Sequence, residues 1–198
     1  MKILIGTKNQ HKLAEMTRIM VAFFQDKNIE LEIVSLNYFP KVKEPLENGT
    51  TFLENAQIKA KYYYDIFQIP TLADDSGLEV ESLNNEPGIY SARYASNTKG
   101  NSTDESNREK LLYRMKDITS RNANFVCAMT LYDGKVFISA IGITSGKILN
   151  QEIGENGFGY DSLFYSDELN KPLGIASNDE KDAISHRGKA LRSLLNKI

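Results

Sequence analysis

The chain has 198 residues and a net charge of −2, and 41% of its residues are apolar while 25% are charged. That length and balance suit one globular domain and exclude the broad basic surface by which proteins hold DNA or RNA polymers. The single cysteine, Cys127, excludes an internal disulfide and a cysteine-based zinc site. Its apolar neighbours predict a buried, inert thiol.

The sequence also lacks a membrane signal. The opening stretch MKILIGTKN is too short in apolar length for a signal peptide, and no apolar run approaches the ~20 residues that span a membrane. We therefore expect a cytoplasmic protein with no membrane partner.

The first third of the chain predicts a strand, a helix and a second strand. Lys2–Ile5 is typical of a short buried strand, and Leu31–Leu36 of another. Asn9–Phe24 predicts a helix, because apolar residues recur at spacings of three and four. These residues are Leu13, Met16, Met20 and Phe23. A strand–helix–strand opening favours an α/β fold.

A second helix is predicted from the capping-box pattern at Thr51 to the stop at Pro70. The apolar residues after Pro70 then predict a strand that ends at Asp74 and Asp75. The loop of residues 41–49 precedes this helix and carries several acidic side chains.

The second half predicts an irregular segment over residues 84–100, a helix over 103–118, a β-meander and a last helix. Alternating apolar residues on both sides of Asp133-Gly134 indicate a hairpin. Ser145-Gly146 predicts a further turn. We expect a mixed sheet with helices on its faces, in which the meander lies apart from the opening strands. A single domain over residues 1–198, with two lobes and a cleft between them, follows from this arrangement.

Two motifs are typical of phosphate and metal binding. GTKNQHK, Gly6 to Lys12, lies between the first strand and first helix, where free amide groups attract anions. The same motif is compatible with a plain capped helix. Asp74 and Asp75 suit a hard divalent cation, with Glu47 as a further ligand. The alternatives are an Asx-type turn for the two aspartates and, for Glu47, a solvated acidic loop, which the local sequence alone favours.

Two later motifs are typical of base recognition. GFGYD, Gly157 to Asp161, places an aromatic ring between glycines, where Phe158 can stack on a base or simply fill a core. EKDAISHRGKA clusters Lys181, His186 and Arg187, which either donate to a ligand or form a basic helix start on the surface. Together, the four motifs indicate a nucleotide hydrolase.

These motifs resemble the inosine triphosphate pyrophosphatase family, in its bacterial form. The likeness runs nearly end to end and rests on six ordered stretches. They are TKNQHK, ENGTTFLENAQIKA, ADDSGLEV, EPGIYSARYA, GENGFGYD and EKDAISHRGKAL. The resemblance implies Mg²⁺-dependent hydrolysis of ITP, dITP and XTP to the monophosphate and pyrophosphate, which removes them from the nucleotide pool. It also implies an elongated α/β fold with a central mixed sheet, two lobes and a substrate cleft, and a homodimer.

The resemblance assigns roles to matching positions of this sequence. Asp75 is implied as catalytic base and metal ligand, Glu47 as the other metal ligand, and Asp74 as a supporting acid or second metal contact. Lys12 is expected to neutralise charge on the leaving pyrophosphate. The implied substrate-binding residues are Thr7, Lys8, Asn9, Gln10, His11, Lys12, Ser76, Phe158, Gly159, Tyr160, Asp161, Lys181, His186 and Arg187.

The sequence departs from the family pattern at two places. Ser162 stands where the family usually has proline after FGYD, and the stretch Lys171–Ala176 differs from the usual Lys-Thr-aromatic-Ala-Glu. Two alternatives stay open. One is a related house-cleaning pyrophosphatase with another base preference, which the SHR and FGYD stretches disfavour. The other is a non-catalytic nucleotide-binding protein, which the presence of Lys12, Glu47 and Asp75 disfavours.

Overall fold

The chain opens with the predicted strand, helix and strand. In the computed structural model, which describes residues 1–98 and 100–198, β1 (Lys2–Ile5) pairs in parallel with β2 (Glu32–Ser35). Helix α1 (Gln10–Asp26) connects them, because a parallel pair needs a long crossover. Asn9 caps α1 by accepting a hydrogen bond from the Lys12 amide at 3.1 Å.

Helix α2 (Phe52–Phe67) begins and ends at its predicted signals. Thr51 and Glu54 form the capping box, in which each side chain accepts a hydrogen bond from the other residue's backbone amide. Gln68 closes the helix in a left-handed conformation with φ of 54°. Pro70 follows and cannot continue a helix.

The eight strands found among the described residues form one mixed sheet. Beyond β1 and β2, the strands are β3 (Thr71–Val80), β4 (Glu86–Pro87), β5 (Asn122–Tyr132), β6 (Phe137–Ile148), β7 (Phe164–Ser166) and β8 (Lys171–Pro172). Their order is β2-β1-β3-β5-β6-β7-β8, with β4 paired to β3. β1 pairs in parallel with β2 and β3, whereas β4, β7 and β8 pair antiparallel. The predicted α/β class with a mixed sheet is confirmed.

The hairpin of β5 and β6 has its turn at Asp133-Gly134, as predicted. The Asp133 carboxylate accepts hydrogen bonds from the amides of Lys135 and Val136, both at 2.9 Å. The predicted turn at Ser145-Gly146 is wrong, since β6 runs through it to Ile148. Glycine has a packing role there, because a Cβ at Gly146 would overlap the carbonyl oxygen of Tyr165 on β7.

The remaining helices differ in part from their predicted bounds. Helix α3 (Asp104–Arg114) ends four residues before the predicted Ile118. The carboxyl-terminal region holds two helices, α4 (Asn178–Ile184) and α5 (His186–Leu195), separated by the extended residue Ser185. The segment predicted as irregular contains β4 and a 3₁₀ helix over Gly88–Arg93. Residue 99 of that segment lies outside the described residues.

The chain divides into two compact units. Unit 1 comprises Met1–Asp75, Cys127–Gly142 and His186–Ile198, and unit 2 comprises Ser76–Val126 and Ile143–Ser185. The prediction that the meander lies apart from the opening strands is wrong. Cys127, Met129 and Leu131 of β5 lie in the same apolar cluster as Ile3 and Ile5 of β1.

Each unit has a core of its own. In unit 1 the main cluster combines residues of β1, α1, β5 and α5, including Met16, Met20 and Leu191. In unit 2 the core combines Leu78 and Val80 with Leu111 of α3 and Phe164 of β7. The single domain over residues 1–198 and its cleft between two lobes stay predictions. None of the helices within residues 1–98 and 100–198 has the length and apolar character of a membrane span.

Candidate active site

Asp74 and Asp75 lie in the middle of β3, not at its end. The strand continues through Ser76 and Gly77 to Val80, so the predicted strand end and the Asx-turn alternative are both wrong. Leu78 and Val80 are fully buried and hold the continuation in place. Because β3 is continuous, adjacent side chains point to opposite faces of the sheet.

Asp75 faces helix α2. Its Oδ2 accepts a hydrogen bond from Asn55 Nδ2 at 3.0 Å, and its Oδ1 lies 3.5 Å from Lys59 Nζ. The same ammonium lies 2.9 Å from Glu47 Oε2. Two carboxylates therefore converge on one cation. We call Lys12, Glu47, Lys59, Asp74 and Asp75 the acid–base cluster, and all five belong to unit 1.

Asp74 faces α1 and α5. Its Oδ2 accepts a hydrogen bond from Lys12 Nζ at 2.9 Å and lies 3.3 Å from Arg187 Nε and 3.8 Å from Cys127 Sγ. Arg187 in turn donates to Glu15 Oε2 at 2.8 Å. Arg187 and Glu15 are 1% and 3% exposed, so this ionic network is buried.

The two neighbouring carboxyls have opposite pKa shifts. Burial raises the pKa of Asp75 above its ordinary value, although Lys59 and Lys12 oppose the shift. Burial also disfavours ionisation of Asp74, but the adjacent Lys12 and Arg187 hold its pKa far below the usual range. Asp74 is therefore a permanent anion, and Asp75 is the better proton acceptor.

Lys59 and Cys127 complete the electrostatics of the cluster. Burial alone would lower the pKa of Lys59, but Asp75 and Glu47 reverse this effect and raise it. Lys59 therefore stays charged beside the two carboxylates. Burial and the nearby Asp74 carboxylate raise the pKa of the Cys127 thiol, as expected for an inert side chain.

The donor set at Glu47 and Asp75 fits a magnesium ion. No group of three or more His, Cys, Asp or Glu side chains that could hold a metal occurs within residues 1–98 and 100–198. Mg²⁺ does not need such a group, because it commonly binds one or two carboxylates and completes its shell with water and substrate phosphates. Two carboxylates that already share one cation, Lys59, match that requirement.

The residues of the TKNQHK stretch differ in what they contact. The Asn9 amide donates to Thr7 Oγ1 at 3.2 Å, which continues the cap of α1. Lys8 Nζ donates to the Val42 carbonyl at 2.6 Å, and Gln10 exchanges hydrogen bonds with the Asn37 side chain. His11 is exposed. Among these side chains, Lys12 is the one that enters the acid–base cluster.

Unit 2 contains a second group of predicted site residues, in what we call the Phe158 loop, residues 156–161. The Phe158 amide donates to Asp161 Oδ2 at 2.8 Å, and Lys181 forms an ion pair with the same carboxylate. The Lys181 ammonium also lies 4.7 Å from the centroid of the Phe158 ring. Gly157 has φ of +83°, and a Cβ there would overlap the Asp161 carboxylate. The loop therefore holds a partly exposed aromatic ring beside a charged pair.

Three other residues that were predicted to bind substrate lie outside the Phe158 loop itself. Ser76 follows Asp75 on β3 and belongs to unit 2. His186 is buried at the start of α5 in unit 1. Arg187 was predicted to contact a base. In the structure its guanidinium instead contacts Asp74 and Glu15 in the buried ionic network. Direct contact between Arg187 and a base stays a prediction.

Comparison with known proteins agrees with the motifs. A sequence profile of the Ham1 family matches residues 3–197. A protein of Bacillus anthracis named dITP/XTP pyrophosphatase is 41% identical over 202 residues, which cover 100% of this chain and 96% of that protein.

Two solved structures have the same fold along their whole length. A HAM1 protein from Coxiella burnetii has a TM-score of 0.86 and 34% identity, with 100% of both chains covered. The Staphylococcus aureus Ham1 protein has a TM-score of 0.83 and 38% identity, with 100% of this chain and 97% of that chain covered. The chain belongs to the Ham1 family. The family resemblance predicted from the motifs is confirmed.

This chain departs from the pattern of the Ham1 family at two places, and the side chains at both places make specific contacts. Ser162 donates to Glu152 Oε2 at 2.8 Å. Lys171 forms β8 with Pro172 and contacts Glu180 Oε1 at 2.6 Å, and that same Glu180 closes the capping box of α4. The altered stretch is therefore tied to the helix that carries Lys181.

Sequence reasoning missed two members of this Ham1 site, Asn55 and Lys59. Both lie in the ENAQIKA stretch, but the motif gave them no role. They are four residues apart and share one face of α2, on which Ala56 and Ala60 are fully buried. The sequence did contain a signal for these two residues. A helix face with alanines normally packs against the core, so polar side chains beside Ala56 and Ala60 indicate a buried polar site.

Proposed function

We propose that this Ham1-family chain hydrolyses ITP, dITP and XTP at the bond between the α- and β-phosphates, which gives the nucleoside monophosphate and pyrophosphate. This reaction removes non-standard purine nucleotides from the nucleotide pool. Full-length similarity to a protein named dITP/XTP pyrophosphatase supports the substrate class. The observation that carries the proposal is the acid–base cluster, in which Asp75 and Glu47 converge beside a permanent ion pair of Lys12 and Asp74.

Glu47 and Asp75 are the residues that would hold Mg²⁺. When bound, that ion supplies positive charge to the phosphate oxygens and lowers the pKa of a bound water. Lys59 contacts both carboxylates and keeps the buried charge of Asp75 close to the partly exposed charge of Glu47. It thereby preserves the arrangement that the ion and the triphosphate require.

Asp75 acts as the general base. Its raised pKa makes it a stronger proton acceptor than an ordinary aspartate, and Asn55 fixes the orientation of its carboxylate. The attacking water gives its proton to Asp75 and adds to the α-phosphorus. The pyrophosphate then leaves with the electron pair of the broken P–O bond.

Lys12 stabilises the charge that develops on the leaving pyrophosphate. Asp74 holds the Lys12 ammonium at 2.9 Å, so Asp74 positions this charge and does not exchange a proton itself. The positive end of the α1 dipole, near Thr7 and Asn9, adds further attraction for phosphate oxygens.

The Phe158 loop binds the base. Phe158 stacks on the purine, and Lys181 donates to the 6-oxo group that inosine and xanthosine carry. Adenine presents an amino donor at that position, so it leaves buried donors unmatched and is rejected. Arg187 supports this selection through its contacts with Asp74 and Glu15.

We also propose a cytoplasmic homodimer that does not bind nucleic acid polymers. Three large apolar side chains of β6, Phe137, Ile141 and Ile143, are 41%, 56% and 48% exposed, which is typical of a surface that a second subunit covers. The net charge of −2 disfavours polymer binding.

A pyrophosphate-release assay tests the function directly. The purified protein is incubated with ITP, dITP, XTP, GTP or ATP, with Mg²⁺ or with EDTA. We expect kcat/KM for the first three to exceed the value for ATP by at least about 100-fold, as polar discrimination allows. We also expect no release in EDTA. Equal rates for all five nucleotides would overturn the substrate class, and no release from any of them would favour a non-catalytic binding protein.

A further inference from the structure

Two side chains of helix α3 form hydrogen bonds with the backbone amide and the backbone carbonyl of one residue in the Phe158 loop. The Gly159 amide donates to Asp104 Oδ2 at 2.8 Å, and the Gly159 carbonyl accepts from Arg108 Nη1 at 2.9 Å. Asp104 and Arg108 are four residues apart, so they share one face of α3. All three residues belong to unit 2.

Gly159 needs such external contacts because of its conformation. It has φ of +62°, in the left-handed region, and Gly157 has φ of +83°. A Cβ at Gly159 would meet no atom of the described residues within 4 Å, so glycine is present there for its backbone conformation and not for lack of space. Glycines on both sides give Phe158 a flexible backbone. Hydrogen bonds from outside the loop, to Gly159, add to the one within it, from the Phe158 amide to Asp161, in selecting one position for the ring.

Arg108 is itself held in place. Its Nε lies 2.8 Å from Glu152 Oε2, and the same carboxylate oxygen accepts the hydrogen bond from Ser162. Ser162 is one of the two positions at which this chain departs from the family pattern. The guanidinium therefore links Glu152 and Gly159, and it is only 19% exposed.

A third contact of α3 secures the neighbouring backbone. Asn107 Oδ1 accepts hydrogen bonds from the Ala95 amide at 2.8 Å and from Ser102 Oγ at 2.7 Å. Tyr160 Oη donates to the Ser91 carbonyl at 2.9 Å. The Phe158 loop is thus attached both to α3 and to the segment that precedes α3.

We propose that Asp104 and Arg108 are positioning residues that fix the Phe158 loop for base binding. The inference rests on the proposed function, in which Phe158 stacks on the purine. Neither residue touches the nucleotide. Each acts on one polar group of Gly159, and through it on the ring of Phe158. Loss of either contact therefore weakens base binding and leaves the phosphate chemistry unchanged.

A single amide resonance can report this contact. Phe158-Gly159 is the one Phe-Gly pair in the sequence, so protein labelled with ¹³C-carbonyl Phe and ¹⁵N-Gly gives one carbonyl-to-amide signal. In Asp104→Ala we expect that signal to move and its hydrogen exchange to become at least about 10-fold faster, since a hydrogen bond to a charged acceptor is lost. Glu105→Ala removes an exposed carboxylate from the same turn and should leave the signal unchanged.

Steady-state kinetics test whether loss of these contacts weakens binding of the purine base. In Asp104→Ala and Arg108→Ala we expect KM for ITP to rise about 10-fold, the value of one charge-assisted hydrogen bond, with kcat within about twofold of wild type. The Ki of inorganic triphosphate, a competitive inhibitor without a base, should stay constant. Asp104→Asn keeps an acceptor oxygen and should recover most of the loss. Glu105→Ala and Lys116→Ala serve as surface controls.

The outcomes separate this inference from the proposed function. If wild type releases no pyrophosphate from ITP, the proposed function fails, and the Gly159 signal in Asp104→Ala still decides the positioning role. An unchanged Gly159 signal overturns the inference. So does an equal rise in KM for ITP and in Ki for inorganic triphosphate, because that result indicates general damage and not a loosened base-binding loop.

Discussion

Asp74 and Asp75 are adjacent on β3 but bind different cations. Asp74 pairs with Lys12 on α1 at 2.9 Å, and Asp75 lies 3.5 Å from Lys59 on α2. The alternation of a continuous strand sends the two carboxylates to opposite faces. One carboxylate thereby becomes a fixed anion, while the other keeps a raised pKa and the capacity to accept a proton.

Replacement of Asp75 should remove turnover without unfolding the protein. Asp75→Asn has the same shape but cannot accept the proton of the attacking water. We expect kcat for ITP to fall by about 10²- to 10⁴-fold, the usual contribution of a general base. Steady-state pyrophosphate release measures the effect, and circular dichroism checks the fold. Asp65→Asn, in an exposed pair with Lys61, is the matched control. A kcat near the wild-type value would exclude Asp75 as the base.

Replacement of Asp74 should instead destabilise the protein. Asp74→Asn leaves the partly buried ammonium of Lys12 and the buried guanidinium of Arg187 without their shared anion. Removal of one partner from a buried ion pair typically lowers the free energy of unfolding by about 3–5 kcal/mol. Urea denaturation measures it. The exposed control Asp65→Asn should lose less than about 1 kcal/mol. Equal midpoints for the two variants would contradict a structural role for Asp74.

The stabilisation by Asp74 should also depend on pH with a definite sign. Its cationic neighbours hold the folded-state pKa below the ordinary unfolded value of about 3.9. The contribution is therefore complete above that value and is lost as the pH falls toward the folded pKa. We expect the difference between wild type and Asp74→Asn to be constant from about pH 8 to pH 5 and to shrink below about pH 4. A difference that grows in acid would refute this assignment.

Local signals in the sequence predicted local structure well. The capping box at Thr51 and the turn at Asp133-Gly134 occur where the patterns place them, because each depends on a few consecutive residues. The Asx-turn alternative at Asp74-Asp75 and the turn predicted at Ser145-Gly146 were misleading for the opposite reason. Both pairs lie within strands, since buried neighbours and strand pairing outweigh a local turn preference.

The contacts of the acid–base cluster were only partly predictable. The motifs identified Lys12, Glu47 and Asp75, but not that Lys59 joins the two acids. That contact links residues from the loop before α2, from α2 and from β3, so it exists only after folding. Glu15 is a similar case. Its place in an ordinary amphipathic helix gives no sign that it pairs with Arg187 in the interior.

Lys59 should set the acid limit of activity. Its charge opposes the effect of burial on Asp75, so Lys59→Gln should raise the pKa of Asp75 further. The acid limb of the pH profile of kcat/KM should then shift to higher pH, because a base works only when it is deprotonated. Lys61→Gln removes an exposed ammonium from the same helix and should leave the profile unchanged. A shift to lower pH, or none, would show that Lys59 does not control Asp75.

Gly142 on β6 should be sensitive to a single added methyl group. A Cβ there would overlap the His186 carbonyl oxygen and the Ala190 amide nitrogen at the start of α5. Gly142→Ala must therefore push α5 away, and overpacking of this kind lowers the free energy of unfolding by about 1–3 kcal/mol. Since α5 carries Arg187, the same shift should loosen its pairing with Asp74 and reduce kcat for ITP.

A second glycine provides the control for Gly142. At Gly100, the one atom of residues 1–98 and 100–198 that an added Cβ is found to meet is Thr98 Oγ1, at 3.6 Å, which is ordinary contact. Gly100→Ala should therefore keep wild-type stability and turnover in the same urea and pyrophosphate-release measurements. If Gly142→Ala proves equally neutral, then α5 is not held at its start by close contact with β6. The position of Arg187 would in that case depend on its ionic partners alone.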